Sequence, residues 1–65
     1  MKFTIKQARN YVGLTQKQMA QKMNVSLAAY QAYEWGDVPM RMDKANDFSK
    51  IVGIKLENII FLQTN

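Results

Sequence analysis

Apolar residues recur along this chain at three- and four-residue spacings, in short blocks separated by Gly, Asn or Pro. That period is helical. Thr4 and Gln7 have capping-box spacing, in which the hydroxyl accepts an N–H of the first turn and the Gln side chain reaches back to the cap. Ile5, Ala8 and Val12 continue the first helix, and Gly13 suits the left-handed residue that closes it. Thr15 and Gln18 repeat the capping box ahead of Met19, Ala20 and Met23. Asn24 follows, the non-glycine type best suited to a left-handed turn. Ser26 caps a third helix over 27–35, ended by Gly36 and a loop, Asp37-Val38-Pro39. The fourth runs from about Arg41 to Val52, with Met42, Ala45, Phe48, Ser49 and Val52 along one face, and Gly53 ends it. Arg41 is a poor cap, partly offset by Asp43 acting on the helix dipole. A short fifth helix is expected from Leu56 to about Leu62, with Leu56, Ile59 and Ile60 facing inward. The unbroken apolar run Ile59-Ile60-Phe61-Leu62 also fits one helical turn followed by a strand-like tail.

The pattern predicts an all-α, compact five-helix single domain over residues 1–65. Its centre, Gln16 to Trp35, has the layout of a helix-turn-helix. Two helices crossing steeply need a small residue at the crossing, supplied by Ala20. They need positive φ at the turn, supplied by Asn24, and apolar inner faces, supplied by Met19, Met23, Val25, Tyr30 and Tyr33. In such a unit the second helix enters the DNA major groove.

Composition narrows the picture. A chain of 65 residues buries a modest core and is marginal alone. Cys and His are both absent, so disulfides and the usual thiolate, imidazole and zinc chemistries are excluded; no metal, cofactor or catalytic constellation is expected. Net charge is +4 and unevenly spread. Before Glu34 stand five bases (Lys2, Lys6, Arg9, Lys17, Lys22) and no acid; from Glu34 onward four bases face five acids. A basic half favours an anionic polymer as partner, although ordinary solubility charge reads the same way. The N-terminal residues show no signal-peptide core and no run approaches a membrane span, so a cytoplasmic protein is expected.

Arg9, the Gly13-Leu14-Thr15-Gln16 junction, Ala20, Val25-Ser26, Glu34, Gly36, Leu56 and Ile59-Ile60 together resemble the XRE family, the lambda-repressor and Cro type of helix-turn-helix regulators. The small size is similar to that of stand-alone phage or prophage regulators. The resemblance implies a lambda-repressor-like domain that binds double-stranded DNA as a homodimer through its C-terminal end. On that basis Ile60, Phe61 and Leu62 are expected at the dimer interface. The resemblance also implies a structural Arg9–Glu34 salt bridge and a phosphate contact by Gln16, whose place at a helix N-terminus suits an anion. Further candidate phosphate contacts are Lys17, Lys22, Ser26, Trp35, Arg41 and Lys44, with Lys6 a weaker one.

The positions that carry base contacts in the family hold Leu27, Ala28, Gln31 and Ala32. Only Gln31 has hydrogen-bonding groups, suited to adenine; the others can touch thymine methyls. Much of the specificity is then expected from phosphate positioning and DNA shape. Two functions follow. One is a sequence-specific transcriptional regulator, a repressor on a palindromic operator. The other is a protein-interaction module on the same fold, anti-repressor or antitoxin-like, motivated by the apolar Leu27-Ala28-Ala29 front, Trp35 and the Phe61-Leu62 tail. Trp35 at a helix end suits a partner surface or a neighbouring loop equally.

Overall fold

The computed structural model describes residues 2–61. Its elements run in the order β1 (Phe3–Thr4), α1 (Ile5–Tyr11), α2 (Gln16–Met23), α3 (Leu27–Trp35), α4 (Met42–Val52), a 3-10 turn (Leu56–Asn58) and β2 (Ile59–Ile60). Both capping boxes form: Thr4 and Thr15 accept from the Gln7 and Gln18 N–H groups, and each Gln returns a bond to its cap residue's N–H. Ser26 Oγ accepts from the Ala29 N–H. Arg41 makes no side-chain cap. At the far ends, Gly13, Asn24, Gly36 and Gly53 all have positive φ. The first two helix ends are followed by Leu14 and Val25, whose N–H groups bond back to the Arg9 and Ala20 carbonyls. These apolar residues pack against the core just beyond the turn, the arrangement that closes a Schellman motif. Asn24, with φ 59°, is the tight turn of the helix-turn-helix, as its residue type predicts.

The core is built from Ile5, Ala8, Met19, Ala20, Met23, Tyr30, Met40, Ala45, Phe48, Val52 and Ile59. Tyr30, Phe48, Met19 and Met23 are its largest fully buried side chains. α2 packs chiefly on α3, with Ala20 buried, so the small residue does lie inside the unit.

The expected fifth α-helix does not form, and the chain is not purely α. Leu56–Asn58 makes a single 3-10 turn, and Ile59–Ile60 then pairs in parallel with Phe3–Thr4, in the register Phe3 to Ile59 and Thr4 to Ile60. The extended alternative is the one realised. Ile59 and Ile60 are β-branched, and an extended segment can draw ladder bonds from Phe3–Thr4, whereas a helix two turns long gains little. Period two then separates the isoleucines: Ile59 is buried, while Ile60, expected inside, is 37% exposed. Met42, also expected inside, is 68% exposed, and Met40 from the preceding loop fills the core instead.

Candidate nucleic-acid interface

The two faces of α3 divide by chemistry. Tyr30 and Glu34, one turn apart, are buried against the rest of the domain. Leu27, Ala28, Gln31, Ala32 and Trp35 recur along the other side, at the spacing of one helical stripe. Leu27 is 42% and Trp35 65% exposed, Ala28 is exposed, and Gln31 and Ala32 are half-buried. The four base-contact candidates thus lie together on one outward stripe.

A buried polar network sits directly behind it. Arg9 Nε donates to Glu34 Oε2 at 2.5 Å, and Arg9 Nη2 to Oε1 at 3.4 Å. Arg9 Nη1 donates to the Leu14 carbonyl at 2.9 Å. The expected Arg9–Glu34 salt bridge is therefore present, and it joins α1 to the end of α3. Tyr30 Oη also donates to Glu34 Oε2 at 2.6 Å, and Gln16 Nε2 to Oε1 at 3.0 Å. Among the described residues no buried side-chain nitrogen or oxygen lacks a partner.

The electrostatics follow. Burial alone would raise the Glu34 pKa, but hydrogen bonds from Arg9, Tyr30 and Gln16 outweigh it and hold the carboxyl below its usual range. The same contact with Glu34 raises Arg9 further against its burial. Burial and the bond to Glu34 push the Tyr30 hydroxyl well above the ordinary tyrosine range. At neutral pH the site therefore holds an ionised pair and a neutral phenol. The pair links α1 to the last turn of α3.

The phosphate candidates are placed unevenly. Gln16 stands half-buried in the first turn of α2, and its Oε1 accepts from Gln31 Nε2 at 3.1 Å. Lys17 is exposed beside it. Ser26 is exposed at the α3 cap. Arg41 is exposed and 3.7 Å from Asp43. Lys44 behaves differently: it is half-buried, and its Nζ donates to the Met23 carbonyl at 3.0 Å, on the last turn of α2. A cation there complements the carbonyl end of a helix and braces α4 against the helix-turn-helix. Of the dimer candidates, Ile60 is exposed; Phe61 is half-buried, edge-on to Phe48 with ring centroids 6.2 Å apart; and Leu62 lies outside the described residues.

Several contacts escaped sequence reasoning, among them the Gln16 bond to Glu34, which joins α2 to α3. Tyr30 on Glu34 was accessible, since the two stand four apart on one helix. The Gln16–Gln31 and Lys44–Met23 contacts join separate helices and depend on the crossing geometry. Among the described residues there is no group of three or more side chains arranged to hold a metal ion, and no helix is long and apolar enough to cross a membrane.

Comparison with known proteins adds one finding. The sequence profile of a family described as helix-turn-helix matches residues 5–59, from the first residue of α1 to the first of β2. Searches of curated proteins and of solved structures returned no match.

Proposed function

The chain belongs to the helix-turn-helix family, a DNA-binding family, and from that premise we propose that it is a sequence-specific transcriptional regulator, a cytoplasmic repressor. It binds a palindromic operator as a homodimer, with α3 in the major groove. The observation that carries the reading is the division of α3: Tyr30 and Glu34 are locked inward, and the stripe from Leu27 to Trp35 is left facing out. Lys17 and Gln16 flank that stripe at the start of α2, where a phosphate would meet free helix N–H groups and positive charge. Two copies would present their α3 helices about 34 Å apart, to half-sites ~10 bp apart. Selection of bound duplexes from a random pool tests this, followed by a salt titration. An enriched palindrome and a steep log–log fall in affinity with salt are expected. A correctly folded protein that retains no DNA at about 50 mM salt refutes the reading.

A second reading, a protein-interaction module on the same fold, draws on exposed Leu27 and Trp35. In that case Lys17→Ala and Gln31→Ala leave partner binding intact and Leu27→Asp abolishes it. The first reading predicts instead that both alanine variants lose DNA affinity.

A further inference from the structure

The network behind α3 has a direction. Glu34 is ionised and so offers only acceptors, and four N–H or O–H bonds converge on its two oxygens. The Gln16 amide must therefore turn its Nε2 inward to Glu34. Its Oε1 then points the other way, where only a donor can satisfy it, and Gln31 Nε2 is that donor. The bonds run in one direction, from a buried carboxylate on one side of α3 to a side chain on its outward stripe.

The last side chain in this chain is the only base-contact candidate able to hydrogen-bond. With one N–H spent on Gln16, Gln31 retains its carbonyl oxygen and one N–H. That donor–acceptor pair matches adenine, which shows the N7 acceptor and the N6 donor in the major groove. Guanine shows two acceptors there, N7 and O6. A Gln31 amide turned the other way would spend its oxygen on Gln16 and keep both N–H groups, which suits guanine. We propose that Glu34, acting through Gln16, fixes the polarity of the Gln31 amide and so makes Gln31 select adenine over guanine. The proposal rests on α3 facing the major groove. Gln16 is then a positioning and specificity residue in addition to a phosphate neighbour, and Glu34 shapes base choice without touching DNA.

The test uses Gln16→Met, which keeps the length of the side chain and removes both of its hydrogen bonds; Gln16→Ala is the second variant should methionine disturb α2. The base pair read by Gln31 is located first, as the position whose preference disappears in Gln31→Ala. The wild-type protein is expected to favour adenine over guanine there by roughly 5- to 150-fold, the range of one bidentate contact. Gln16→Met is expected to cut that ratio to about twofold or less, with preferences at other positions unchanged. An unchanged ratio overturns the proposal, as does an equal loss of affinity on every operator variant, which is the behaviour of a phosphate contact alone. An independent readout is the Gln31 side-chain amide resonance in the free protein. It should move in Gln16→Met, and a stationary resonance overturns the relay whatever happens on DNA. A resonance that moves in a protein that binds no DNA keeps the relay and refutes its use in base selection, and with it the DNA-binding reading.

Discussion

Replacing Arg9 by Met tests whether the buried ion pair holds the helix-turn-helix in place. Methionine keeps most of the side-chain stem and deletes the guanidinium. Three hydrogen bonds vanish, two to Glu34 and one to the Leu14 carbonyl. Glu34, with a side chain only 2% exposed, is left charged with Tyr30 and Gln16 as its remaining donors. Removing one partner of a buried pair costs about 3–5 kcal/mol, because the survivor keeps its desolvation penalty without its counter-ion. A domain of this size has roughly 3–10 kcal/mol in total at 0.05–0.15 kcal/mol per residue. The variant should therefore lose a large share of its stability at room temperature and neutral pH. The pH dependence is the sharper part. The Glu34 pKa is depressed in the folded protein, so the pair's stabilisation is present above the ordinary carboxyl value of 4.5 and is lost as pH falls through the lower folded value. Without Arg9 the buried carboxyl loses its strongest favourable partner, so its pKa rises from that lower value and it protonates more readily. Urea denaturation followed by circular dichroism should thus show a large deficit at pH 7 that shrinks at a pH below the ordinary carboxyl value of 4.5. A deficit below ~1 kcal/mol at pH 7, the range of an exposed pair, would refute the reasoning. So would a deficit of equal size at both pH values.

Other outcomes follow from the same structure. Phe48→Ala empties the centre of the core and should cost about 3–5 kcal/mol in the same urea assay. Ile60→Asp changes an exposed position and should shift sedimentation toward monomer while leaving the unfolding midpoint nearly constant at low concentration; Phe61→Asp should lower both, because Phe61 also packs on Phe48. Lys17→Ala should weaken binding to all DNA sequences alike and reduce the salt slope by about one. Lys44→Met should lower the thermal midpoint through the lost bond to the Met23 carbonyl, with the salt slope unchanged; a reduced slope would show that Lys44 leaves Met23 to meet phosphate.

How far the chain could be read depended on the range of each interaction. Helices α1 to α4 were legible because caps, apolar period and left-handed closing residues are local, and each acts within a turn or two of the residue that encodes it. The helix-turn-helix unit was legible for the same reason, since Ala20, Asn24, Val25 and Ser26 are contiguous in space and nearly so in sequence. The Arg9–Glu34 pair spans α1 to α3 and came from the family resemblance rather than from spacing.

What tertiary structure alone decided lies at longer range. Ile59 and Ile60 carry an apolar signal that fits a helix or a strand, and pairing with Phe3–Thr4 across the whole chain length chooses the strand. Which isoleucine is buried follows only from that register, and the displacement of Met42 by Met40 depends on how the loop enters α4. The sequence by itself determined the helices, their turns and the candidates on the outward stripe of α3. Their partnership was decided by the crossing of α2 and α3, which brings Gln16 between Glu34 and Gln31. Hydrogen bonds act over about 3 Å and have a direction, so no spacing along the chain could encode which amide donates until the fold had set the three side chains side by side.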